Sequence, residues 1–479
     1  MSTPPLPTGF TVRLAAGTHT CSGGRLLVGG SGTVLRLRPR ARLMLSPDGT
    51  LAARDPDSAA VARLLLDRGL ADPWWPDEPG AGDDAVDDVT VVVPVRDRPG
   101  QLARLLSVLP GLPVVVVDDG SADAVTTRAV AAEFGAGLVR HPVSRGPAAA
   151  RNSGLAVART PFVAFLDSDV VPVPGWLGRL RRHLEDPAVG VVGPRVLGGE
   201  PRPVDSWLCR YEAARSSLDL GPSPGPVQPL GRVAYLPSAA LLVRREALTT
   251  GGRAGFDERM RVAEDVDLVW RLHGQGWRVR YEPAAAVRHD HRTSLLPWLR
   301  RKAYYGTGAA PLAARHGSDV APLVLSPWTA AMTAAVLAQR RWSLPVAGVV
   351  GAAVTARNGR RLAGEDRPLR TAAALTATGT VSALLQAASA LTRHYWPLAV
   401  AAACLSVRAR RALVAAAVAD AVLDWRRVRP DLDPLRFLVA RRLDDLAYGT
   451  GLWAGALRAR EPRALTPAFR GFRPRRGTR

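Results

Sequence analysis

Cysteine and lysine are scarce in this sequence of 479 residues. The three cysteines, Cys21, Cys209 and Cys404, lie far apart and form no CxxC or CxxxC pair. This argues against a zinc site or a disulfide framework and fits a reducing compartment. Lys302 is the only lysine, so nearly all of the 64 basic residues are arginines. The N-terminal segment Met1–Pro5 lacks the charged and then apolar layout of a secretory signal, and we expect the working part of the chain in the cytoplasm.

Acidic residues are too few to balance the arginines, and the formal net charge is +22. From Arg300 to Arg479 the chain holds 29 basic and 10 acidic residues, so the surplus lies almost entirely in the C-terminal region. The last segment, Arg470–Arg479, has Phe472 between arginines but contains no recognition module for nucleic acid. We therefore predict no nucleic-acid partner and a solvated or lipid-facing tail, because anionic lipid attracts such segments.

A chain of this length is too long for one compact core, and its composition changes along the sequence. Residues 1–72 are predicted to form a small N-terminal α+β module, with strands at Thr11–Leu14, Arg25–Val28 and Val34–Leu37 and a helix at Asp57–Arg68. Residues 73–88, rich in Pro, Gly, Asp and Glu, have the composition of a linker. Residues 89–318 and 319–479 are predicted as two further regions.

Short apolar runs alternate with helix-length segments after residue 88. Solid β-branched runs such as Val89–Val93 are typical of parallel strands that are covered on both faces. Predicted strands cover Val89–Val93, Val114–Val117, Gly137–Arg140 and Phe162–Leu166, and predicted helices cover Gly100–Leu109, Ala124–Phe134 and Ala148–Ala158. The pattern predicts a doubly wound α/β domain, in which ligands bind at the carboxyl ends of the strands.

Long uncharged runs mark the C-terminal region. Ala321–Gln339 has 19 residues without charge and Thr371–Thr392 has 22, and about 20 are needed to span a bilayer. Shorter apolar runs cover Trp342–Ala356 and Tyr395–Val407. Arginines flank every run, so the distribution of positive charge does not fix a topology. We predict an Ala- and Arg-rich helical region that associates with the membrane, and a soluble helical bundle is the alternative.

Two carboxylates, Asp167 and Asp169, follow the last of the predicted parallel strands. They suit Mg²⁺ or Mn²⁺, which prefer oxygen ligands and keep coordination positions open for phosphate. An Asp-x-Asp pair alone is common on protein surfaces, but its position after a buried strand favours a metal site. Further along the chain, His289 or His291 follows another predicted strand and can supply a third ligand or contact a diphosphate.

Three further segments lie at predicted strand ends or at a helix start and offer groups to a nucleotide. In two loops, acidic side chains can accept hydrogen bonds from a base or a ribose. At the helix start, arginines and the helix N-terminus attract phosphate. The candidate nucleotide ligands are Pro94, Val95, Arg96, Asp97, Asp118, Asp119, Arg145 and Arg151. Helix capping is the alternative for the two loops, and an exposed helix start is the alternative for the third segment.

Three carboxylates, Glu264, Asp265 and Asp267, fall within four residues at a predicted helix start. Their mutual repulsion is costly unless something uses the charges. A carboxylate at this point can take the proton of an acceptor hydroxyl while the oxygen attacks, which is general-base catalysis. We predict catalytic roles for Asp265 and Glu264.

Seven motifs, in order along residues 88–295, resemble the family 2 glycosyltransferases with the GT-A fold. They are Val-Pro-Val-Arg-Asp, Val-Asp-Asp-Gly-Ser, Ala-Arg-Asn-Ser-Gly, Phe-Leu-Asp-Ser-Asp, Gly-Phe-Asp-Glu, Glu-Asp-Val-Asp-Leu and a terminal His. The resemblance implies an α/β GT-A domain with a Rossmann-like mixed sheet, a nucleotide-sugar donor, a divalent cation and inversion at the anomeric carbon. It also implies that Asp167 lies near the sugar or ribose, that Asp169 holds the metal and that Asp265 is the base.

A closer resemblance links the chain to the mycofactocin-system glycosyltransferases of actinobacteria. It rests on the N-terminal module, the linker and the run Tyr235–Arg245. It implies transfer of glucose from UDP-glucose to a peptide-derived redox cofactor precursor, with synthesis of a short β-linked glucan. Together with the separateness of residues 1–72, it leads to the hypothesis that this module recognises the peptide acceptor. The Gln-x-x-Arg-Trp motif of processive synthases is absent, since Gln275-Gly-Trp-Arg278 does not match it, and long polymerisation is disfavoured.

Two other functions stay open at this stage. The first is transfer of rhamnose, mannose or galactofuranose to a lipid-linked or cell-wall acceptor. The second, a nucleotide-binding protein without catalysis, is disfavoured because Asp167, Asp169 and Asp265 are all present. We expect the chain at the cell membrane with its catalytic domain on the cytoplasmic side, or else in the cytoplasm.

Overall fold

The computed structural model describes residues 3–30, 32–76, 86–199, 206–250, 254–290, 294–363 and 366–469. Its strands are β1 (Thr11–Leu14), β2 (His19–Cys21), β3 (Leu26–Val28), β4 (Val34–Arg36), β5 (Thr50–Ala52), β6 (Ala71–Pro73), β7 (Val89–Val95), β8 (Val114–Asp119), β9 (Gly137–His141), β10 (Phe162–Leu166), β11 (Val170–Pro172), β12 (Val189–Gly198), β13 (Gly225–Pro226), β14 (Ala240–Arg244), β15 (Arg278–His289), β16 (Val324–Leu325) and β17 (Ala468–Phe469).

The α-helices are α1 (Pro39–Leu43), α2 (Pro56–Asp67), α3 (Pro99–Leu106), α4 (Ala124–Glu133), α5 (Pro147–Val157), α6 (Trp176–His183), α7 (Trp207–Arg215), α8 (Arg245–Thr249), α9 (Glu264–Gly274), α10 (Leu295–Thr307), α11 (Ala309–His316), α12 (Pro327–Ala338), α13 (Ser343–Arg361), α14 (Pro368–Ser389), α15 (Trp396–Leu405), α16 (Val407–Val428) and α17 (Pro434–Ala459). The chain divides into two compact units. The sheet unit comprises Met1–Thr18, Leu37–Pro203 and Arg215–His291, and the helical unit comprises His19–Arg36, Val204–Ala214 and Arg292–Arg479.

A mixed sheet in the order β11-β15-β12-β14-β10-β7-β8-β9 forms the centre of the sheet unit. Strands β7, β8, β9 and β10 are parallel, and β14 runs antiparallel to both β10 and β12. Strand β15 is parallel to β12. The carboxyl ends of β7, β8, β9, β10, β12 and β15 and the start of β14 therefore meet at one edge of the sheet. The predicted α/β mixed sheet is confirmed.

The sheet forms because its central strands are almost entirely apolar. Every side chain of β10 is buried, and all but one of β7, which is the pattern of strands covered on both faces. Between residues 89 and 166, all four predicted strands and all three predicted helices are present, and their ends lie within three residues of the predicted ends. Helix α5 packs tightly on β7, since a Cβ at Gly154 would lie 2.2 Å from a methyl carbon of Val92. This contact fixes the helix that carries Arg151.

The predicted N-terminal module is divided between the two units. Strands β1, β5 and β6 form one small sheet, and β2, β3 and β4 form another that belongs to the helical unit. The first sheet and α2 are part of the sheet unit because arginine–carboxylate pairs attach them to it. The pairs are Arg63–Asp186, Arg278–Asp67 and Arg280–Asp72, with N–O distances of 2.5 to 2.8 Å. Residues 77–85 of the predicted linker lie outside the described residues.

The apolar run Ala321–Gln339 does not form one long helix, and the expectation that it is long enough to span a bilayer is wrong. It contains the short strand β16 and then α12, which has 12 residues. Ser326 caps α12 and Pro327 occupies its first turn, so the helix cannot extend backwards. Among the described residues, only the continuous segment Pro368–His394 is long and apolar enough to cross a membrane. The core helix of a soluble protein can meet the same criteria, so one such segment does not by itself establish a membrane span.

Part of the arginine surplus is neutralised inside the helical unit. Arg393 donates to both Asp444 and Asp445 of α17, at 3.3 and 3.0 Å. Lys302 lies 2.8 Å from Glu212 and 3.4 Å from Asp444. Buried ions require such partners, so these cations stabilise the folded helical unit.

The predicted boundary at residue 318 also differs from the observed one, since α10 and α11 belong to the helical unit.

Candidate active site

The predicted site residues come together at the edge where the parallel strands end. Asp97, Asp119 and Asp169 lie just beyond or at the ends of β7, β8 and β10, and His289 ends β15. The start of α9, with Glu264 and Asp265, lies beside the turn that precedes β14. Carboxylates that are far apart in the chain therefore belong to one contiguous site.

Arg151 is the buried cation of this site. Its side chain is 3% exposed and donates to Asp167 Oδ1 at 2.6 Å and to Glu264 Oε1 at 3.1 Å. The guanidinium also lies 5.4 Å from the centre of the Phe256 ring. Burial lowers the pKa of Arg151, but the charges of Asp167 and Glu264 outweigh burial and raise it. The residue was predicted to meet the nucleotide, and instead it is enclosed between two carboxylates.

Phe256 and Asn152 form a clamp behind Arg151. The Asn152 side chain accepts a hydrogen bond from the Phe256 N–H at 2.8 Å and donates to the Phe256 carbonyl at 2.9 Å. The ring of Phe256 packs edge-on against Phe165 of β10, with centroids 5.3 Å apart. The Gly-Phe-Asp-Glu motif therefore orients the central arginine. Glu258, the last residue of the motif, accepts hydrogen bonds from Asn152 and Arg145.

Glu264 and Asp265 begin α9 but have different surroundings. Glu264 is buried against Arg151, whereas Asp265 is partly exposed. The Asp265 carboxylate accepts hydrogen bonds from the N–H groups of Ser238 at 3.0 Å and Val266 at 2.8 Å. Burial raises the pKa of Asp265 despite these bonds. Burial and the neighbouring charge of Asp265 raise the pKa of Glu264 to about 7. Of the two residues, only Asp265 is partly exposed to solvent.

Glu264→Gln is expected to change how the stability of the chain depends on pH. The folded pKa of Glu264, about 7, lies above its ordinary value of 4.5. Below about pH 4.5 the group is protonated in both states and its contribution is fully present. That contribution is lost as the pH rises through 7, because the unfolded chain releases this proton first. Relative to the variant, the native chain should lose up to about 3 kcal/mol between pH 5 and pH 8.

Urea unfolding of both proteins at pH 5, 6, 7 and 8 measures this difference. Glu133→Gln is the matched control, because Glu133 is an exposed glutamate at the end of α4. A stability difference between native chain and Glu264→Gln that is the same at every pH would contradict the assigned surroundings of Glu264.

Asp169 pairs with the cation Arg98 and lies close to His289. Arg98 forms a short ion pair with Asp169 Oδ2, and His289 Nε2 lies 3.6 Å from Asp169 Oδ1. Among the residues that the structure describes, no three His, Cys, Asp or Glu side chains are grouped to hold a metal ion. Asp169 and His289 fit a divalent cation that takes its other ligands from phosphate and water. Asp167, also predicted as a metal ligand, is paired with Arg151. His291 lies outside the described residues.

Asp119 holds the loop after β9. Its carboxylate accepts hydrogen bonds from the N–H groups of Arg145 and Gly146 and from the hydroxyl of Ser144, at 2.7 to 2.9 Å, and His141 Nδ1 lies 2.7 Å away. Burial alone would raise the pKa of Asp119, but these hydrogen bonds lower it. A Cβ at Gly120 would lie 2.5 Å from the Ser144 nitrogen, and its φ is +73°. The Asp-Gly sequence therefore allows the two loops to approach each other.

The other predicted nucleotide ligands differ in accessibility. Asp118 is buried and forms a short ion pair with Arg140. Asp97 has a φ of +54° and accepts a hydrogen bond from the Ala122 N–H at 2.8 Å. Arg96 and Arg145 are both largely exposed, and Pro94 and Val95 end β7. The side chains of Arg96, Asp97 and Arg145 are each about half exposed, so these members of the set can reach a ligand without rearrangement.

Sequence reasoning missed three residues that shape the site. Arg98 neutralises Asp169, and Ser238 donates its N–H to Asp265. Ala263, the residue before α9, has a φ of +63°, a strained conformation for a residue with a Cβ. This backbone turn lies directly before Glu264. Nothing in the composition around these positions distinguishes them, although Arg98 follows the predicted Asp97 directly.

Comparison with known proteins identifies the chain. Residues 90–248 match the family described as Glycosyl transferase family 2. A pre-mycofactocin glycosyltransferase of Mycobacterium tuberculosis is 48% identical over 483 residues, covering 97% of this chain and 99% of that protein. The chain belongs to the family 2 glycosyltransferases of the mycofactocin type. The mixed sheet described above is thus the GT-A domain of this glycosyltransferase.

The glycosyltransferase has more distant relatives. The succinoglycan biosynthesis protein ExoU of Rhizobium meliloti is 29% identical over 205 residues, covering 40% of this chain and 59% of that protein. The solved structure of a mannosyltransferase from Pyrobaculum calidifontis, in complex with GDP-Man and Mn²⁺, has 22% sequence identity and a TM-score of 0.37. Its match covers 65% of this chain and 90% of that chain.

Proposed function

We propose that this glycosyltransferase transfers glucose from UDP-glucose to an acceptor hydroxyl with inversion at the anomeric carbon. The product would be a short β-linked glucan on mycofactocin, a peptide-derived redox cofactor. The likeness along nearly the whole chain to a pre-mycofactocin glycosyltransferase supports the acceptor. The observation that carries the chemistry is the site around Arg151, in which a partly exposed Asp265 stands beside two carboxylates, Asp167 and Glu264, that the buried Arg151 neutralises.

Asp265 is the proposed general base. Its raised pKa makes it a stronger base than an ordinary aspartate, while the Ser238 and Val266 N–H groups fix its orientation. The acceptor hydroxyl gives its proton to Asp265 as its oxygen attacks the anomeric carbon, and the UDP oxygen leaves from the opposite face. The positive charge of Arg151 compensates the negative charge of Glu264 next to Asp265. One displacement on an α-linked donor gives a β-linked product.

Asp169 and His289 are the proposed protein ligands of a Mg²⁺ or Mn²⁺ ion. Such an ion, when bound, would neutralise the charge that develops on the leaving diphosphate. Arg98 pairs with Oδ2 of Asp169, so the oxygen that would hold the ion is Oδ1, which lies 3.6 Å from His289 Nε2. The Arg98 guanidinium would be available to a phosphate oxygen of the donor. The loops with Asp97 and Arg145 are the proposed supports of the nucleotide, with Asp167 near the sugar.

Membrane association through the helical unit is also proposed. The continuous segment Pro368–His394 has a mean hydropathy of 1.3 and few buried side chains. This feature favours a second candidate function, transfer of another sugar to a lipid-linked or cell-wall acceptor. Acceptor recognition by the N-terminal residues likewise stays a proposal.

A donor panel tests the proposed function. The purified enzyme is incubated with UDP-, GDP- and dTDP-sugars, with Mg²⁺ or Mn²⁺, and with the peptide-derived acceptor, and nucleotide release is followed. We expect rapid release with UDP-glucose only when acceptor and metal are both present, and a β-linked glucoside by NMR. Preference for GDP-mannose or a dTDP-sugar, or an α-linked product, would contradict the proposal.

A further inference from the structure

Two helical hairpins of the helical unit end next to each other. Helices α12 and α13 are joined at Gln339–Trp342, and α15 and α16 are joined at Ser406. The Gln339 side chain donates a hydrogen bond to the carbonyl of Arg408 at 2.7 Å, which connects the two turns. We call residues 339–346 and 404–411 the paired tips.

The paired tips expose large apolar side chains. Leu405 is 90% exposed and Leu344 is 79% exposed, and about half of Trp342 and of Val407 is exposed. A single exposed leucine is ordinary on a protein surface. Four large apolar side chains around one hydrogen-bonded contact form a patch, and such patches mark interaction surfaces.

The charge around this patch has a single sign. Five exposed arginines belong to the paired tips, namely Arg340, Arg341, Arg408, Arg410 and Arg411. Residues 327–361 and 396–419, which contain the paired tips, have no aspartate or glutamate, and the first carboxylates of α16 are Asp420 and Asp424. The arginines of the tips differ from the less exposed Arg393, which is neutralised by Asp444 and Asp445. The surface therefore fits an apolar partner with a negatively charged border.

One arm of each hairpin is too short to cross a bilayer. Helix α12 has 12 residues and α15 has 10, which at 1.5 Å per residue gives about 18 and 15 Å. The hydrocarbon core of a bilayer is about 30 Å thick. Apolar side chains on short helices, with arginines beside them, are typical of segments that lie in the membrane interface. A nucleic acid would engage the arginines but would leave the leucines and Trp342 exposed to water.

We propose that the paired tips insert into the headgroup region of an anionic bilayer and hold the enzyme on one membrane face. Leu344, Leu405 and Trp342 enter the boundary of the acyl chains, and the arginines contact lipid phosphates. This deepens the membrane association proposed above and is independent of the sugar that the enzyme transfers. It assigns membrane binding to the turns rather than to a spanning helix.

Cys404 allows a direct test in the full-length chain. It is exposed at one tip, whereas Cys209 is buried and Cys21 is partly buried. An environment-sensitive fluorophore on Cys404, with Cys21 and Cys209 changed to serine, is mixed with phosphatidylglycerol vesicles or with phosphatidylcholine vesicles. We expect a blue shift and lipid-phase quenching with the anionic vesicles, and a loss of binding at high salt. A probe at Val125→Cys on α4, a site that is 78% exposed in the sheet unit, is the control.

Variants identify the groups that bind. Unlabelled Leu344→Gln/Leu405→Gln, and a variant with all five tip arginines changed to glutamine, should each bind vesicles roughly 100-fold more weakly in cosedimentation. Leu43→Gln, at an 85% exposed leucine of the sheet unit, should bind like the native chain. Transfer to a water-soluble acceptor should be unchanged in all of them, so failure of the surface and failure of the proposed function are distinguishable.

Three results would overturn the proposal. They are equal binding to neutral and anionic vesicles, native binding by the tip variants, and resistance of the bound enzyme to alkaline carbonate extraction, which indicates a spanning helix. Tight binding to DNA that anionic vesicles do not displace would instead assign the tip arginines to nucleic acid.

Discussion

Replacement of Arg151 by methionine is expected to destabilise the enzyme by about 3–5 kcal/mol at pH 8. The guanidinium is almost fully buried and is the shared partner of Asp167 and Glu264. Methionine fills a similar volume but leaves both carboxylates without their cation, and the uncompensated charge of the buried Glu264 is costly. At lower pH Glu264 can take up a proton, so the loss should become smaller. Calorimetry or urea unfolding at pH 6 and pH 8 measures the effect.

Two further variants define the cause of the loss. Arg128→Met changes an exposed arginine on α4 and should alter the stability by less than about 0.5 kcal/mol. Arg151→Met/Glu264→Gln should recover part of the stability, because it removes one of the unpaired carboxylates. If Arg151→Met is as stable as the native enzyme, or if the double variant recovers nothing, Arg151 does not neutralise this site.

The strands of the sheet were predictable because their signal is local. A solid run such as Val89–Val93 is β-branched at every position, and such runs are typical of strands buried on both faces. The position of the carboxylates at one sheet edge follows from the same pattern, since parallel strands end together. The sequence therefore predicted that carboxylates far apart in the chain converge on one site. In the structure Asp167 and Glu264 share Arg151, and Asp265 follows Glu264 in the first turn of α9.

The role of Arg151 was not predicted because a motif does not say which way a side chain faces. Arg151 was expected at an open helix start, yet it lies on the face of α5 that packs against the sheet. Arg151, Gly154 and Leu155 are all buried, and their spacing of three and four residues places them on the same face of the helix. A small residue three positions from an arginine is by itself a weak indication that the arginine is buried. The two carboxylates that pair with Arg151 lie 16 and 113 residues away in the sequence, so no local pattern reveals them.

The N-terminal residues show a different limit. Their composition and the Pro- and Gly-rich segment after them predict a separate module, but long-range ion pairs such as Arg278–Asp67 join two widely separated parts of the chain. In the C-terminal region, the uncharged run before Gln339 is interrupted by Ser326 and Pro327, which begin a new helix. Counting charges alone does not detect such a start, whereas capping residues do.

Asp265→Asn is the variant with the largest expected effect on activity. Asparagine keeps the size of the side chain but cannot accept the proton of the acceptor hydroxyl. General-base catalysis contributes about 10²–10⁴-fold, and we expect transfer to fall by about 10³-fold or more. Binding of UDP should change little, because Asp265 is assigned to the acceptor and not to the nucleotide. Glu133→Gln on α4 is the control and should leave both properties unchanged.

The deciding measurement compares transfer rate and UDP affinity in the same preparation of Asp265→Asn, by product formation and by calorimetry with Mn²⁺. An intact UDP affinity together with a loss of turnover is the predicted result. If the affinity for UDP falls as far as the turnover does, or if transfer proceeds at the native rate, Asp265 does not take the proton of the acceptor.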